Sequence, residues 1–361
     1  MTPTPNDFLR DPLFQLNAVL WLAQPLPEAS TVAPLLHRQG FGVYAIAPLL
    51  GPPADVRLAA QTVGIAIQER VRPDVVLSRE RDRRFSLVEC KASSFEVTSP
   101  TAEQARSLLI AAGPRGAEML GLAPREVSDS LLTFVSREHE CEELAQTVSA
   151  LSLELARSEL PAGRSSCLGL TMTAHEVAVE VNAAASDFLG LPVGRNRFID
   201  CEEGSDPRPL YFIPYDPDVT QSPQEAVFCK RVLFERIQSE VIAAVGRSNP
   251  PAEVVLESGK LLNSAMFGMY GHWENQDSAS HMRRLCRQLM DAITQAANSV
   301  SQDAIAFQPG RGWTVNLASE EQHESVLDAL TRFSCETLSL RVEPSPSLFD
   351  GLEADSTDYT R

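Results

Sequence analysis

The sequence predicts an α/β protein, and three observations predict it. Its first 200 residues alternate helical apolar spacing with short β-rich runs. The run "FGVYAIAPLL" is closed by Gly-Pro-Pro, as a buried strand is. Farther on, "DVVLS" and "FSLVECK" flank a charged turn, which reads as a hairpin. With 361 residues, 43% of them hydrophobic and 22% charged, the chain has the composition of a soluble globular protein and length for two domains.

In chain order, "PEASTVAPLLHRQG" has helical spacing and stops at Gly40, and the first strand follows from Phe41. A helical stretch, "ADVRLAAQTVGIAIQER", leads to the hairpin. "SPTAEQARSLLIAAG" carries Ser and Thr capping signals, an apolar helical pattern and Gly113 as a stop. Then come the strand "SLLTFVS", a helix "EHECEELAQTVSALSLELA" with an acidic first turn, and "SCLGLTMTAHEVAVEV" as one long strand or a bent pair. Residues 202–224, rich in proline and acid, read as a linker between a domain over 1–201 and a mainly helical α+β domain over 225–342. In the second domain "EAVFCKRVLFERIQSEVIAAVG", "AEVVLESGKLLNSAMFGMYG" and "SHMRRLCRQLMDAITQAANSV" read as helices. A hairpin, "AIAFQPGRGWTVNLA", and a helix, "EEQHESVLDALTRF", complete it. Three helices and a hairpin suit a winged-helix arrangement as well as other small α+β modules. Residues 343–361 read as a disordered acidic tail.

Several classes are set aside. No run of eighteen apolar residues predicts a membrane span, and the start lacks the features of a signal peptide, so a cytoplasmic protein is expected. Seven cysteines without a CxxC pair suggest neither a zinc knuckle nor a disulfide framework. A net charge of -17 argues against nucleic-acid binding by the surface at large, so any such role needs a local basic patch, a metal or a partner.

The chemistry concentrates in "RPDVVLSRERDRRFSLVECKASSF". The chain has three lysines, Lys91, Lys230 and Lys260, and Lys91 alone follows an acid by two positions. Along the second strand Glu89 and Lys91 share a face. A turn centred between residues 81 and 82 sets Asp74 opposite Glu89, and like charges so placed repel. A divalent cation relieves that repulsion: Asp74, Glu89, the Cys90 backbone carbonyl and waters make an oxygen-rich site suited to Mg²⁺. Lys91 beside it is a compact cation able to act on a bound water or on a phosphate.

Pro73-Asp74, fourteen intervening residues, then Glu89-Cys90-Lys91 resembles the PD-(D/E)xK motif of the restriction-endonuclease-like nuclease superfamily. The resemblance covers roughly residues 28–137. It implies an α-β-β-β-α-β mixed-sheet core, Asp74, Glu89 and Lys91 as catalytic residues, and Mg²⁺ or Mn²⁺ as cofactor. It also implies an auxiliary acid from the preceding helical region, Glu28 or Glu69. A subgroup adds a Gln on the next helix with a Tyr four residues later; Gln104 fits, but position 108 is Leu.

The expected activity is metal-dependent phosphodiester hydrolysis, DNA before RNA, in a subunit of a bacterial defence or DNA-repair system with a protein partner or a second copy. The alternative is a catalytically inactive adaptor of the same fold. Arg79, Arg81, Arg83 and Arg84 in the hairpin turn are candidate phosphate contacts, with a solvated turn as the plainer reading. "DPDVT" at Asp216 reads as a turn. Arg283, Arg284 and Arg287 lie on a predicted helix either as a solvated face or as a nucleic-acid or partner contact.

Overall fold

The computed structural model describes residues 4–27, 31–201, 206–219 and 222–334. Helices α1 (Pro5–Arg10) and α2 (Pro12–Ala23) open the chain. The single turn α3 (Leu35–Arg38) precedes β1 (Gly42–Ile46), and α4 (Ala54–Thr62) leads to β2 (Val75–Arg79) and β3 (Arg84–Cys90). Then follow α5 (Pro100–Ala111), the turn α6 (Gly116–Met119), β4 (Asp129–Arg137), α7 (Cys141–Arg157), β5 (Arg164–Met172), β6 (Glu176–Val181), α8 (Ala183–Leu189) and β7 (Gly194–Asp200). The C-terminal part holds α9 (Pro223–Gly246), β8 (Ala252–Leu256), α10 (Ser258–Ala265), α11 (Gln276–Asn298), β9 (Ile305–Gln308), β10 (Gly312–Leu317) and α12 (Glu320–Arg332).

The seven strands β1 to β7 form one mixed sheet in chain order, so the protein is α/β. β1, β2 and β3 form an antiparallel meander; β4 and β5 run parallel to β3, joined through α5 and α7 as parallel pairing requires. β5, β6 and β7 close the sheet as a second meander, the bent pair being the β5–β6 hairpin. A three-stranded antiparallel sheet in the order β8-β10-β9 lies among α9 to α12.

Alternation along β3 divides the core. Phe85 and Leu87 pack with α4, α5 and α7, whereas Val88 and Cys90 face α1, α2 and the C-terminal elements. Capping sets the helix that matters most for the site: Ser99 accepts the Ala102 N–H and Pro100 opens α5.

Several elements differ from the sequence reading. Helix α2 is buried along nearly its whole length and has no polar stripe to betray it. α4 stops at Thr62, before Gly64 with φ +73, so Gln68 to Arg70 are not helical. Residues 252–256, read as helix, form β8 because Val254 and Val255 pair with Val315 and Thr314 of β10. The tail over 343–361 lies outside the described residues. Within the segment read as a linker, Tyr211, Phe212 and Ile213 are fully buried. Asn17 of α2 donates to the Ile213 carbonyl and accepts its N–H, both at 2.9 Å, and the Trp21 indole donates to the Leu210 carbonyl at 2.9 Å. One hydrophobic cluster therefore runs from Phe8 through this segment to Leu330.

Candidate active site

The β2–β3 register pairs Val75 with Val88 and Val76 with Leu87. One step outward it sets Asp74 opposite Glu89 at the end of the hairpin away from its turn. Asp74 Oδ2 accepts the Cys90 N–H at 2.6 Å, extending the ladder through a side chain where β2 begins. Lys91 Nζ lies 2.7 Å from Glu89 Oε1. Gln104, on α5, donates to the same Oε1 at 2.8 Å and accepts from Lys91 Nζ at 2.9 Å. The four side chains thus meet at one end of the sheet, on the face covered by α5.

The Lys91 backbone is pinned from three sides. Its N–H donates to the Val135 carbonyl of β4 at 2.8 Å. Its carbonyl accepts from Ser136 at 2.8 Å and from Gln15 of α2 at 3.1 Å. Neither Gln15 nor Ser136 was singled out in the sequence, since nothing local distinguishes a buried polar residue that serves a strand 45 or more positions away.

The electrostatics follow from the burial. Glu89 is only 3% exposed; burial, with the Asp74 charge second, pushes its carboxyl up to about 8. Burial also raises Asp74, against the Cys90 N–H and the Lys91 charge. Burial works to lower Lys91, but the Glu89 carboxylate outweighs it and the ammonium is held above its usual range. Glu89 Oε2 is buried and has no hydrogen-bond partner among the described residues. Beside a second acid, this oxygen is an unsatisfied buried polar group.

A third acid borders the site. Asp216, 9% exposed, is pushed up to about 7 by burial first, with Asp218 and Asp74 adding to the effect. Its Oδ1 accepts the Asp218 N–H at 2.9 Å, and Asp218 accepts from Asn275, the N-cap of α11, at 2.6 Å. The proline-rich context of Asp216 hid this placement, because approach to Asp74 is a tertiary fact. Even so, among the described residues no group of three or more His, Cys, Asp or Glu side chains is placed to hold a metal.

The remaining candidates lie elsewhere. Glu28 is outside the described residues. Glu69 is exposed and bonded to Arg57 of α4 at 2.8 Å, with no hydrogen bond or ion pair to the Asp74 group. Arg79 is 4% exposed; it clasps Asp82 through two bonds of 2.8 and 2.7 Å and lies over the Phe41 ring. It is a structural residue and not the phosphate contact expected. Arg84 packs on Phe188 and donates to its carbonyl, Arg83 donates to the Arg125 carbonyl, and Arg81 is exposed. At about 3.3 Å per residue, five residues of β2 separate this turn from Asp74 by roughly 16 Å. Comparison with family models, curated proteins and solved structures finds no match to this chain.

Proposed function

We propose that the protein is a divalent-metal-dependent nuclease that hydrolyses phosphodiester bonds, DNA before RNA, with Asp74 and Glu89 as metal ligands and Lys91 as catalytic cation. The observation that carries the reading is the bare, buried Oε2 of Glu89 facing a second carboxylate across the hairpin. The donor set suits Mg²⁺ or Mn²⁺: two carboxylates, with the Cys90 carbonyl as a backbone oxygen beside them. The succession β1, β2, β3, α5, β4 supports the PD-(D/E)xK resemblance, since it follows the element order that this core implies.

A cation held here would supply Lewis-acid stabilisation of a phosphate oxygen. The chain's own residues do the rest. Lys91 brings a positive charge to the edge of the same niche, where it can meet charge building on a phosphate. Gln104 holds Lys91 and Glu89 Oε1 together, which leaves Oε2 for the cation. Burial at this end of the sheet keeps water from screening these charges.

A second reading, a non-catalytic adaptor of the same fold, is favoured by one observation: no third metal-ligating side chain joins the pair among the described residues. Incubation of labelled DNA and RNA with Mg²⁺, Mn²⁺ or EDTA separates the two. Metal-dependent cleavage that disappears in Glu89→Gln supports the nuclease. A protein that shows neither cleavage nor calorimetric Mg²⁺ or Mn²⁺ binding is the adaptor.

A further inference from the structure

A second cluster of chemistry lies in the C-terminal part. A cavity of about 590 Å³ opens between α11, the start of α10 and the β9–β10 hairpin. Arg283, Arg284 and Arg287 project into it from the exposed face of α11, whose other face buries Met282, Leu285, Cys286 and Leu289. Arg311 joins them from the hairpin loop. Acids blunt only part of this charge. Arg311 is paired with Glu253, and Glu257, the one acid on the wall, is bonded to Lys260. Arg283 bonds Ser280, and no ion pair engages Arg283, Arg284 or Arg287 among the described residues. In a chain of net charge -17, three arginines left without carboxylate partners on one wall are the local basic patch that a polyanion needs.

The same wall carries flat surface. Phe307 is 39% exposed, large for a ring on a short strand, and Arg287 lies over it with its guanidinium carbon 4.3 Å from the ring centre. Trp313 packs 5.3 Å from Phe307, and its buried indole N–H has no acceptor among the described residues. Exposed rings and guanidinium groups are what unstacked bases stack on. The arginine face is concave, walled by the hairpin, so α11 does not stand proud as a helix entering a duplex groove must.

We propose that this pocket binds a single-stranded nucleic acid, its phosphates on Arg283, Arg284 and Arg287 and a base on the Phe307–Arg287 surface. Asn275 at the start of α11 bonds Asp218 beside Asp216, and nine residues of helix, about 14 Å, separate it from Arg284. Between them His281, beside the Tyr215 ring, lies within the fields of Arg284 and Lys230. The proposal goes beyond the nuclease reading without depending on it, because binding needs neither metal nor cleavage.

Fluorescence anisotropy with labelled single-stranded DNA, single-stranded RNA and duplex DNA, all in EDTA, tests it. The full chain should bind single strands more tightly than duplex, with a salt slope near -2 for three phosphates. Arg284→Gln with Arg287→Gln should lose at least about tenfold in affinity and about 1.4 from the slope. Phe307→Ala should lose roughly five- to a hundredfold with the slope unchanged. Melting temperatures within a few degrees of the parent will show that the variants fold, as is expected of exposed positions. Tighter binding to duplex, no salt-dependent binding, or an arginine double variant that binds like the parent would each overturn the pocket. A parent that binds here yet never cleaves with Mg²⁺ or Mn²⁺ sinks the nuclease reading alone.

Discussion

Lys91 Nζ sits 2.7 Å from Glu89 Oε1, two residues back on the same strand, in a niche where the lysine side chain keeps 18% of its exposure. That niche admits an ammonium already bonded on two sides. A guanidinium is planar, wider and charged to higher pH, so Lys91→Arg should displace its partners. Activity should fall by about a hundredfold or more in Lys91→Arg, nearly as far as in Lys91→Ala, in line with losing one electrostatic group. Both variants should keep the thermal shift given by Mg²⁺. Near-parental cleavage by Lys91→Ala would place the active site elsewhere.

Asp74 should be replaced by Asn and not by Ala, because its Oδ2 accepts the Cys90 N–H. Asp74→Ala leaves that amide bare and is expected to cost about 1 to 3 kcal/mol. Asp74→Asn keeps an acceptor and removes the charge that helps push Glu89 up to about 8. Its metal-free melting temperature should match or exceed the parent's at pH 8, while the Mg²⁺ shift disappears. A persistent Mg²⁺ shift would remove Asp74 from the ligand set.

Gln104 touches both charged partners, so under the proposed metal-dependent reading it is a positioning residue that acts through them. Gln104→Leu should weaken Mg²⁺ binding by roughly ten- to a hundredfold, the usual effect of losing a residue that orients a ligand. Calorimetry reads this without any turnover.

Stability should depend on pH in an unusual direction. Four carboxyls have folded-state values raised above the ordinary range: partly buried Asp11 to about 6, buried Asp216 to about 7, buried Glu89 to about 8, and Asp74 in the same direction. Between those values and the usual 4, the folded protein holds protons that the unfolded chain has released. The stability is present at low pH and is lost as pH rises through 6, 7 and 8, at up to about 1.4 kcal/mol per pH unit for each group. The metal-free protein should melt at a higher temperature at pH 5.5 than at pH 8.0. Asp216→Asn should flatten the profile around pH 7. A melting temperature that climbs from pH 5.5 to 8.0 would contradict the burial of these acids.

Arg79 and Arg81, two residues apart in the turn, should behave oppositely. Arg79→Ala breaks the two-bond clasp on Asp82 and the contact with Phe41, and should cost about 2 kcal/mol or more in chemical denaturation. Arg81→Ala should change stability by less than about 0.5 kcal/mol, as exposed positions do.

The hairpin and its register were legible because period-two alternation and turn length act between neighbours: "DVVLS" and "FSLVECK" carry both, and they set Asp74 opposite Glu89. The helix over Gln104 was legible from its capping residues. What was not legible is long-range. Asn17 holds Ile213 across 196 positions, which makes an apparent linker part of the core. Val254 and Val255 form a strand only because β10 lies beside them. Asp216 reaches the neighbourhood of Asp74 by the same tertiary packing. Arg79 looked like its neighbours in composition, and its burial against the Phe41 ring separates it from them.

β1 is the first strand of the seven-stranded sheet, yet its outer side is not bare: Ile46 bridges Trp273, its carbonyl accepts the Glu274 N–H at 3.0 Å, and His272 Nδ1 lies 3.3 Å from the Tyr44 carbonyl. An uncovered sheet edge recruits other chains. The C-terminal elements therefore serve as a seal on this edge. A chain ending near residue 222 would present the outer side of β1 and the face of Phe212 that now meets Phe267. Such a fragment is built to stick to itself. The two halves cannot be exchanged between proteins as independent cassettes, and a lineage that altered one would have had to re-fit the other along this seam.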